Sequence, residues 1–396
     1  MPHRSIEEIA FPRLSAEQLA TVARLGQPRR LPQGEVLIAT GQKQYPFCVV
    51  LSGAVDIVDL SSGTPRQVTQ HGPASFIGDV DILTGRPAVI SAIAAMESEV
   101  LVVPASEVRR LLNEVPDLSD LLLEAFQTRR EMLRSSAFQG IRLIGVPRTP
   151  AVAGIREFFY KNHVPHTLFD PTESDGMALL NELGCTADDL PVLSCSGQVN
   201  RRPTLAQIAG CLGISRKVDD ALYDLVVVGA GPAGLAATVY AASEGLRTLV
   251  IDRVGPGGQA GSSSRIENFM GFPSGISGAE LANRAYLQAL KFGAEFTAPV
   301  AVHTVRPGPD GEHLLDLCTG QTARARCVLA ATGVTYRQLG AINERSFQGA
   351  GIFYSATSVE ARVCRRARAI VVGAGNSAGQ AAMYLADHAS EVTLVV

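Results

Sequence analysis

From Val36 to Val103 the chain shows short apolar runs separated by turn residues. Val36-Leu37-Ile38, Cys48-Val49-Val50-Leu51, Val55-Asp56-Ile57-Val58 and Val100-Leu101-Val102-Val103 predict strands. Gly34, Gly41, Ser52-Gly53, Ser61-Ser62-Gly63 and His71-Gly72-Pro73 predict their turns. Strands this short and this closely spaced indicate an antiparallel sandwich or barrel. The rhythm then becomes helical: Val108, Leu111 and Leu112, then Leu118, Leu121 and Leu122, recur at three and four. Pro116 suits the first turn of the second helix. Residues 1–136 are therefore expected to form a β-roll closed by helices.

A different pattern follows. Ile141 to Val146 predicts a strand, Val152 to Asn162 an amphipathic helix, His166 to Phe169 a strand, and Met177 to Leu183 a helix. Pro191-Val192-Leu193 and Gln198-Val199 read as a hairpin, and Thr204 to Leu212 as a last helix. A βαβ unit followed by a hairpin and helix makes a small α/β domain of about 75 residues, assigned to 137–216. Tyr223 opens a third unit (217–337) with a buried strand, and Ile352 lies near the start of a fourth (338–396).

Two glycine loops carry the clearest chemistry. Asp224 to Val228 is a strand leading into Gly229-Ala230-Gly231-Pro232-Ala233-Gly234 and an Ala-rich helix. Gly229 allows the tight turn, Gly231 the approach of a pyrophosphate, and Gly234 close packing of helix on strand. Pro232 and Ala233 open the helix whose N-terminus takes the diphosphate. The next strand, Thr248 to Ile251, ends at Asp252, placed to accept hydrogen bonds from ribose hydroxyls. A second copy, Gly373-Ala374-Gly375-Asn376-Ser377-Ala378, lies between the strand at Ala369 and a helix reaching Leu385, with a strand from Val392 to Val396. Two such loops imply two dinucleotides, against the plainer reading of a second Rossmann unit that is only structural.

Composition narrows the function classes. The 396 residues are 46% hydrophobic and 18% charged, with a formal net charge of −3, which argues against a dedicated nucleic-acid binder. The basic pairs Arg129-Arg130 and Arg365-Arg366 read as ordinary helix-face and loop residues. No segment has the apolar length of a signal peptide or a membrane span, so the expectation is a cytoplasmic chain with no membrane partner. The seven cysteines are widely spaced, without a Cys-x-x-Cys or zinc-like pairing, and read as isolated reduced thiols. His163 and His166 flank Val164-Pro165 and read as solvated turn residues. No metal site and no catalytic side chain is assigned.

Residues 223 to 396 resemble the thioredoxin reductase family of flavoproteins. Gly257-Gly258-Gln259 and Ile266-Glu267-Asn268-Phe269-Met270-Gly271-Phe272-Pro273 are similar to its flavin-contacting segments, and Ala331-Thr332-Gly333-Val334, with Arg337 and Leu339, to the end of its first FAD segment. The resemblance implies FAD at Gly229, Gly231, Pro232, Ala233, Gly234, Asp252, Gly258, Gln259, Asn268, Thr332 and Gly333. It implies NADPH or NADH at Gly373, Gly375, Asn376 and Ser377, and a homodimer. Two departures stand out. Tyr354-Ser355-Ala356-Thr357-Ser358 has serine at both positions of the family's redox cysteines, and Cys364 has no partner nearby. A serine pair cannot form a disulfide or carry two electrons. The second nicotinamide strand runs out at Val396, so the residues that choose NADH or NADPH are not present, and the chain reads as a fragment of a longer product.

The β-roll resembles a cyclic nucleotide-binding domain, with Phe76-Ile77-Gly78-Asp79-Val80-Asp81-Ile82-Leu83 similar to its phosphate cassette. Gly78 and Asp79 are the residues this resemblance assigns to a cyclic nucleotide. The arginine that should follow Pro87 is Ala88, and Arg86 precedes the proline; a degenerate sensor or an oligomerisation surface is favoured over nucleotide binding. Residues 141–214 resemble a thioredoxin or glutaredoxin fold, with Leu190-Pro191-Val192 similar to its cis-proline element, but Val146-Pro147-Arg148-Thr149-Pro150-Ala151 has no cysteine at the active-site position. The expected fold is multidomain: β-roll with helices, thioredoxin-like α/β domain, then Rossmann-type FAD and partial NAD(P)-binding domains. The expected function is an FAD-dependent NAD(P)H oxidoreductase of thioredoxin reductase type with an unknown electron acceptor and a cyclic-nucleotide-binding-like regulator. The alternative is a flavin-based redox sensor that turns nothing over.

Overall fold

A computed structural model of the chain describes all residues except 1–3, 61–64, 136–137, 148, 196, 264, 335–336, 348–350, 355, 357–360 and 362–363. The expected turn at Ser61-Ser62-Gly63, the central Arg148 and the two serines at 355 and 358 thus lie outside the described residues, in part or whole.

The first unit is a roll of two antiparallel four-stranded sheets. One has β1 (Gln27–Leu31), β8 (Ser98–Val103), β3 (Phe47–Ser52) and β6 (Phe76–Ile77) in that order; the other has β2 (Val36–Ile38), β7 (Ser91–Ala94), β4 (Val55–Asp59) and β5 (Arg66–His71). β2, β3, β4 and β8 fall where the apolar runs put them. β1, β5, β6 and β7 are additions, and β1 and β5 escaped because they are edge strands with mostly exposed side chains. Helices α1 (Ile6–Ala10), α2 (Ala16–Ala23), α3 (Asp81–Thr84), α4 (Ala105–Glu114) and α5 (Pro116–Ser135) close the roll, with Pro116 as the first residue of α5. Phe47, Phe76 and Phe126 are fully buried and meet with ring centroids 5.5–6.4 Å apart, which pins α5 to the roll.

The second unit orders its strands β10 (Thr167–Phe169), β9 (Ile141–Ile144), β11 (Val192–Cys195) and β12 (Gln198–Arg201). β9 and β10 are parallel across α6 (Pro150–Lys161), while β11 and β12 form the expected hairpin. α7 (Ser174–Glu182) links β10 to the hairpin. The Leu190–Pro191 peptide is cis, as the resemblance at this proline implies. α8 (Leu205–Cys211) starts where Thr204 predicts, because its hydroxyl accepts from the Gln207 amide and the Gln207 side chain accepts from the Thr204 amide.

The third unit is a six-stranded sheet in the order β15 (Glu295–Thr297), β14 (Thr248–Ile251), β13 (Leu222–Val228), β18 (Thr322–Ala330), β17 (His313–Leu317) and β16 (Val302–Pro307), parallel on one side and antiparallel on the other. α9 (Pro232–Ser243) and α10 (Gly278–Lys291) pack together on it. The fourth has parallel strands β19 (Arg368–Val372) and β20 (Glu391–Val395) around the helix α12 (Asn376–Ala386), which follows the short α11 (Glu344–Phe347). One apolar cluster runs from the roll into the third unit, joining Leu83, Leu111 and Leu112 to Val227, Leu235, Tyr286 and Leu290. The roll and the third unit therefore share a core.

Candidate functional site

The first glycine loop sits at the carboxyl ends of β13, β14 and β18. Gly229 has φ +107°, and a Cβ there would strike the Ala331 carbonyl, so no other residue fits this turn. Across the loop Gly258, at φ +54°, faces Gly231: a Cβ on Gly258 would lie 2.9 Å from the Gly231 Cα. The Gln259 side chain donates to the Val334 carbonyl at 2.6 Å. Gly229, Gly231, Gly258, Gln259, Thr332 and Gly333 are thus brought together by the fold. Pro232 and Ala233 open α9, whose N-terminus beside this cluster has no side-chain cap. Asn268 is exposed and shares no described contact with the cluster.

Asp252 is committed to the backbone. One carboxylate oxygen accepts from the Ala230 amide at 2.8 Å, and the other from the Val254 and Gly255 amides at 2.8 Å each. It ties the glycine loop to the turn after β14. A carboxylate has about four acceptor positions, so capacity for one ribose hydroxyl remains. An uncapped helix N-terminus, a loop free of side chains and a residual acidic acceptor together fit a dinucleotide.

The second loop has the same local form. Gly373 has φ +136°, its amide donates to the Val395 carbonyl at 2.8 Å, and Gly375 precedes α12. Gly375, Asn376 and Ser377 are exposed. The two loops share no described hydrogen bond or ring contact. Ser355 and Ser358 lie outside the described residues. Tyr354, just before them, hydrogen-bonds Glu344 and accepts from the Leu339 amide at 2.7 Å.

The cysteine expectation needs correction. Cys195, at the end of β11, and Cys211, at the end of α8, form a disulfide 16 residues apart in sequence. The hairpin and the returning helix bring them together, which their wide spacing did not suggest. Cys48, Cys185, Cys318, Cys327 and Cys364 are free, and burial pushes the Cys48 thiol up to about 12.

In the β-roll, Gly78 and Asp79 border a cavity of about 440 Å³. Asp79 accepts from the Tyr45 hydroxyl and, at 2.6 Å, from Arg130, which also pairs with Asp81. The acid that the resemblance assigns to a cyclic nucleotide is thus already engaged. Ala88 lines the cavity and supplies no charge, while Arg86 turns away and donates to the Asn162 carbonyl at 2.8 Å. Arg129-Arg130 is not an ordinary helix-face pair, since both side chains are buried. Arg129 donates to the carbonyls of Ala10, Phe76 and Gly78 and lies 4.3 Å from the Phe76 ring centroid. Burial lowers its guanidinium to about 9. Burial also opposes the charge of Arg130, but Asp81 and Asp79 outweigh it and the net shift is upward. Asp79 was legible from the cassette, but its pairing with Tyr45 and Arg130, far apart in sequence, left no local signal.

The two turn histidines are also corrected. His163 is partly buried and stacks on Tyr286, with centroids 6.2 Å apart and planes 19° apart. Burial lowers it to about 3, aided by Arg134, Arg86 and Arg130. His166 packs at 4.6 Å on Phe159 and is lowered first by burial. The residues between β9 and α6 bear no cysteine, as read. Among the described residues no helix is long and apolar enough to cross a membrane, and no group of three or more His, Cys, Asp or Glu could hold a metal.

Residues 223–396 match the profile of the pyridine nucleotide-disulphide oxidoreductase family, and residues 28–115 that of the cyclic nucleotide-binding domain. The chain is 36% identical over 178 residues to thioredoxin reductase of Listeria monocytogenes, covering 45% of this chain and 54% of the relative. The figures are the same for thioredoxin reductase of Bacillus subtilis. The solved T. acidophilum thioredoxin reductase is 30% identical, with 44% of this chain and 55% of that one covered and a TM-score of 0.39. The chain spans about half the length of the curated relatives it matches.

Proposed function

We propose, on the premise that residues 223–396 are a segment of the pyridine nucleotide-disulphide oxidoreductase family and residues 28–115 a cyclic nucleotide-binding domain, that the chain is an FAD-dependent NAD(P)H oxidoreductase of thioredoxin reductase type. In this reading electrons leave by a route other than a cysteine pair at 355 and 358, where serines stand. The observation that carries it is the convergence of Gly229, Gly231, Gly258, Gln259 and Thr332 on the open N-terminus of α9, with Asp252 holding the loop.

The division of labour follows the four units, with boundaries near 136, 216 and 337. Amides of Gly231, Ala233 and Gly234 would take the FAD diphosphate, with Pro232 setting the first helical turn, and Asp252 its ribose. Gly258, Gln259, Thr332, Gly333 and Asn268 would line the cofactor. Gly373, Gly375, Asn376 and Ser377 would take a nicotinamide dinucleotide. The chemistry such a pair supplies when bound is hydride transfer from the reduced nicotinamide to the flavin. The protein's part is to position both and keep out water. The β-roll regulates, a homodimer is the expected assembly, and the acceptor stays unnamed.

The second reading, a sensor reduced once without turnover, is favoured by the serines at 355 and 358 and by Ala88 at the cassette arginine's position. The test is the visible spectrum of the purified chain, followed by NADPH oxidation with a quinone or oxygen as acceptor. A flavin band with repeated turnover supports the enzyme, and a band bleached once supports the sensor. A folded, colourless chain unable to take up added FAD refutes both. With thioredoxin and a disulfide reporter, turnover should stay at background. If it does not, Cys195→Ser shows whether the Cys195–Cys211 disulfide substitutes.

A further inference from the structure

A cavity of about 300 Å³ lies where the β-roll, the second unit and the third unit meet. Arg86, Arg130 and Arg134 line it from the roll, Lys161 and His163 from the end of α6, and Tyr286 from α10. Two carboxylates also line it, but Glu131 pairs with Arg134 at 2.8 Å and Glu280 with Arg284. Lys161 pairs with Glu157, and Arg130 with Asp79 and Asp81. Arg86 differs. Among the described residues it makes no ion pair within 4.0 Å, although its charge reaches Asp81, and its side chain makes one described hydrogen bond, to the Asn162 carbonyl. The Nε of Arg130 is buried without any hydrogen-bond partner. A narrower cavity of about 20 Å³ shares Thr84, Arg86, Pro256 and Tyr286 with the first and extends to Asp252.

A half-buried guanidinium with donors to spare, at a junction where basic groups outnumber free carboxylates, is a ready partner for an anion. The planar fork of arginine matches a phosphoryl group in two parallel hydrogen bonds. The volume is at the lower end for small-molecule sites, and the Tyr286–His163 stack provides a flat wall for the rest of a ligand. Asn162 connects this place to the flavin loop. Its carbonyl accepts from Arg86, its side-chain amide donates to the Val254 carbonyl at 2.7 Å, and the Val254 amide is held by Asp252.

We propose that the junction cavity binds a small phosphate monoester through Arg86, with Arg134 and Lys161 at its rim, and that occupancy reaches the flavin loop through Asn162 and Val254. The transmission rests on the flavin reading above; the site itself does not. It is separate from the cavity inside the β-roll and uses the arginine that the degenerate cassette turns outward. The neutral His163 imidazole, held near 3 by burial and by Arg134, Arg86 and Arg130, agrees with positive surroundings there.

The experiment is calorimetric titration of the full chain with ribose 5-phosphate, and with inorganic phosphate as the bare anion. Saturable binding of ribose 5-phosphate is expected in the native chain, weakened roughly tenfold or more in Arg86→Met. Lys161→Gln, whose described side-chain bond is the Glu157 pair, should keep the native thermal transition and weaken binding a few-fold, so the proposal stays testable if Arg86→Met does not fold. No saturable heat, heat unchanged in both variants, or saturation by inorganic phosphate alone (an adventitious ion only) would each overturn the site. FAD titration of the apo chain with and without ribose 5-phosphate tests the transmission. A several-fold shift supports it and none overturns it. A chain that binds ribose 5-phosphate but never FAD keeps the site and loses the flavin reading.

Discussion

His71 and His163 are both lowered to about 3, His71 by burial and by the Arg129 charge, His163 by burial and three guanidinium groups. In the unfolded chain each returns to the ordinary imidazole value near ~6.5. Between those values the unfolded state binds more protons than the native one, so stability rises with pH there. The stabilising contribution is complete above the unfolded value and is lost as pH falls from about 6.5 towards 3. Each imidazole can add a slope of up to about 1.4 kcal/mol per pH unit. Urea unfolding between pH 4 and 7 should show this loss. His163→Asn should flatten the slope by up to about half, and asparagine tolerates the positive φ of +53° at this position. A slope unchanged in His163→Asn would show that His163 is not the source. At this scale the sequence was informative only where one residue type is forced, as at Gly229. The turn around His163 looked polar because Tyr286, its wall, lies more than a hundred residues away.

At the scale of elements, the strands and helices with a strong apolar period were legible, and so was the α8 start at Thr204. Elements without a buried face were not: β1 reads Gln-Pro-Arg-Arg-Leu and buries only Leu31, so nothing local separates it from a loop. The β19–β20 pair shows the reverse case, where the pattern predicts a buried strand but the fold leaves it bare. One side packs on α12 through Ala369 and Leu385, while Ile370, Val372 and Val395 are exposed on the other. Parallel strands are stable when both faces are covered, and two strands alone are marginal. The amides of Arg368–Val372 and Glu391–Val395 should therefore exchange with solvent far faster than those of β13, whose Val226 and Val227 are fully buried. Hydrogen-exchange mass spectrometry of this chain makes the comparison. Equal protection of the two sets would mean that something covers the outer face, and adding NADPH should slow β19 first if the second loop binds it.

The whole molecule is held by contacts that no local pattern encodes. Asn162 is the clearest: it ends α6, its side chain caps the Phe158 carbonyl and reaches Val254, and its own carbonyl receives Arg86. Three units meet at one buried amide, and Gly255 must be glycine partly because a Cβ there would lie 2.5 Å from the Asn162 amide nitrogen. With the apolar cluster shared by the roll and the third unit, this predicts that the first three units unfold as one cooperative body. Asn162→Ala removes both side-chain donations and leaves the Val254 carbonyl without its described partner, while the Phe158 carbonyl keeps the backbone amide of residue 162, at a cost of about 1–3 kcal/mol. The loss should exceed that of helix capping alone, because the Val254 turn and the Asp252 carboxylate it helps to place both loosen. Calorimetry of the native chain should show one transition for these units. In Asn162→Ala it should broaden or split, with earlier proteolysis near Val254 and, if the first loop binds FAD as proposed, weaker FAD retention. If the variant merely shifts a single sharp transition by the amount of one lost cap, and FAD affinity holds, Asn162 is a local cap. The units would then be joined by their apolar cluster alone.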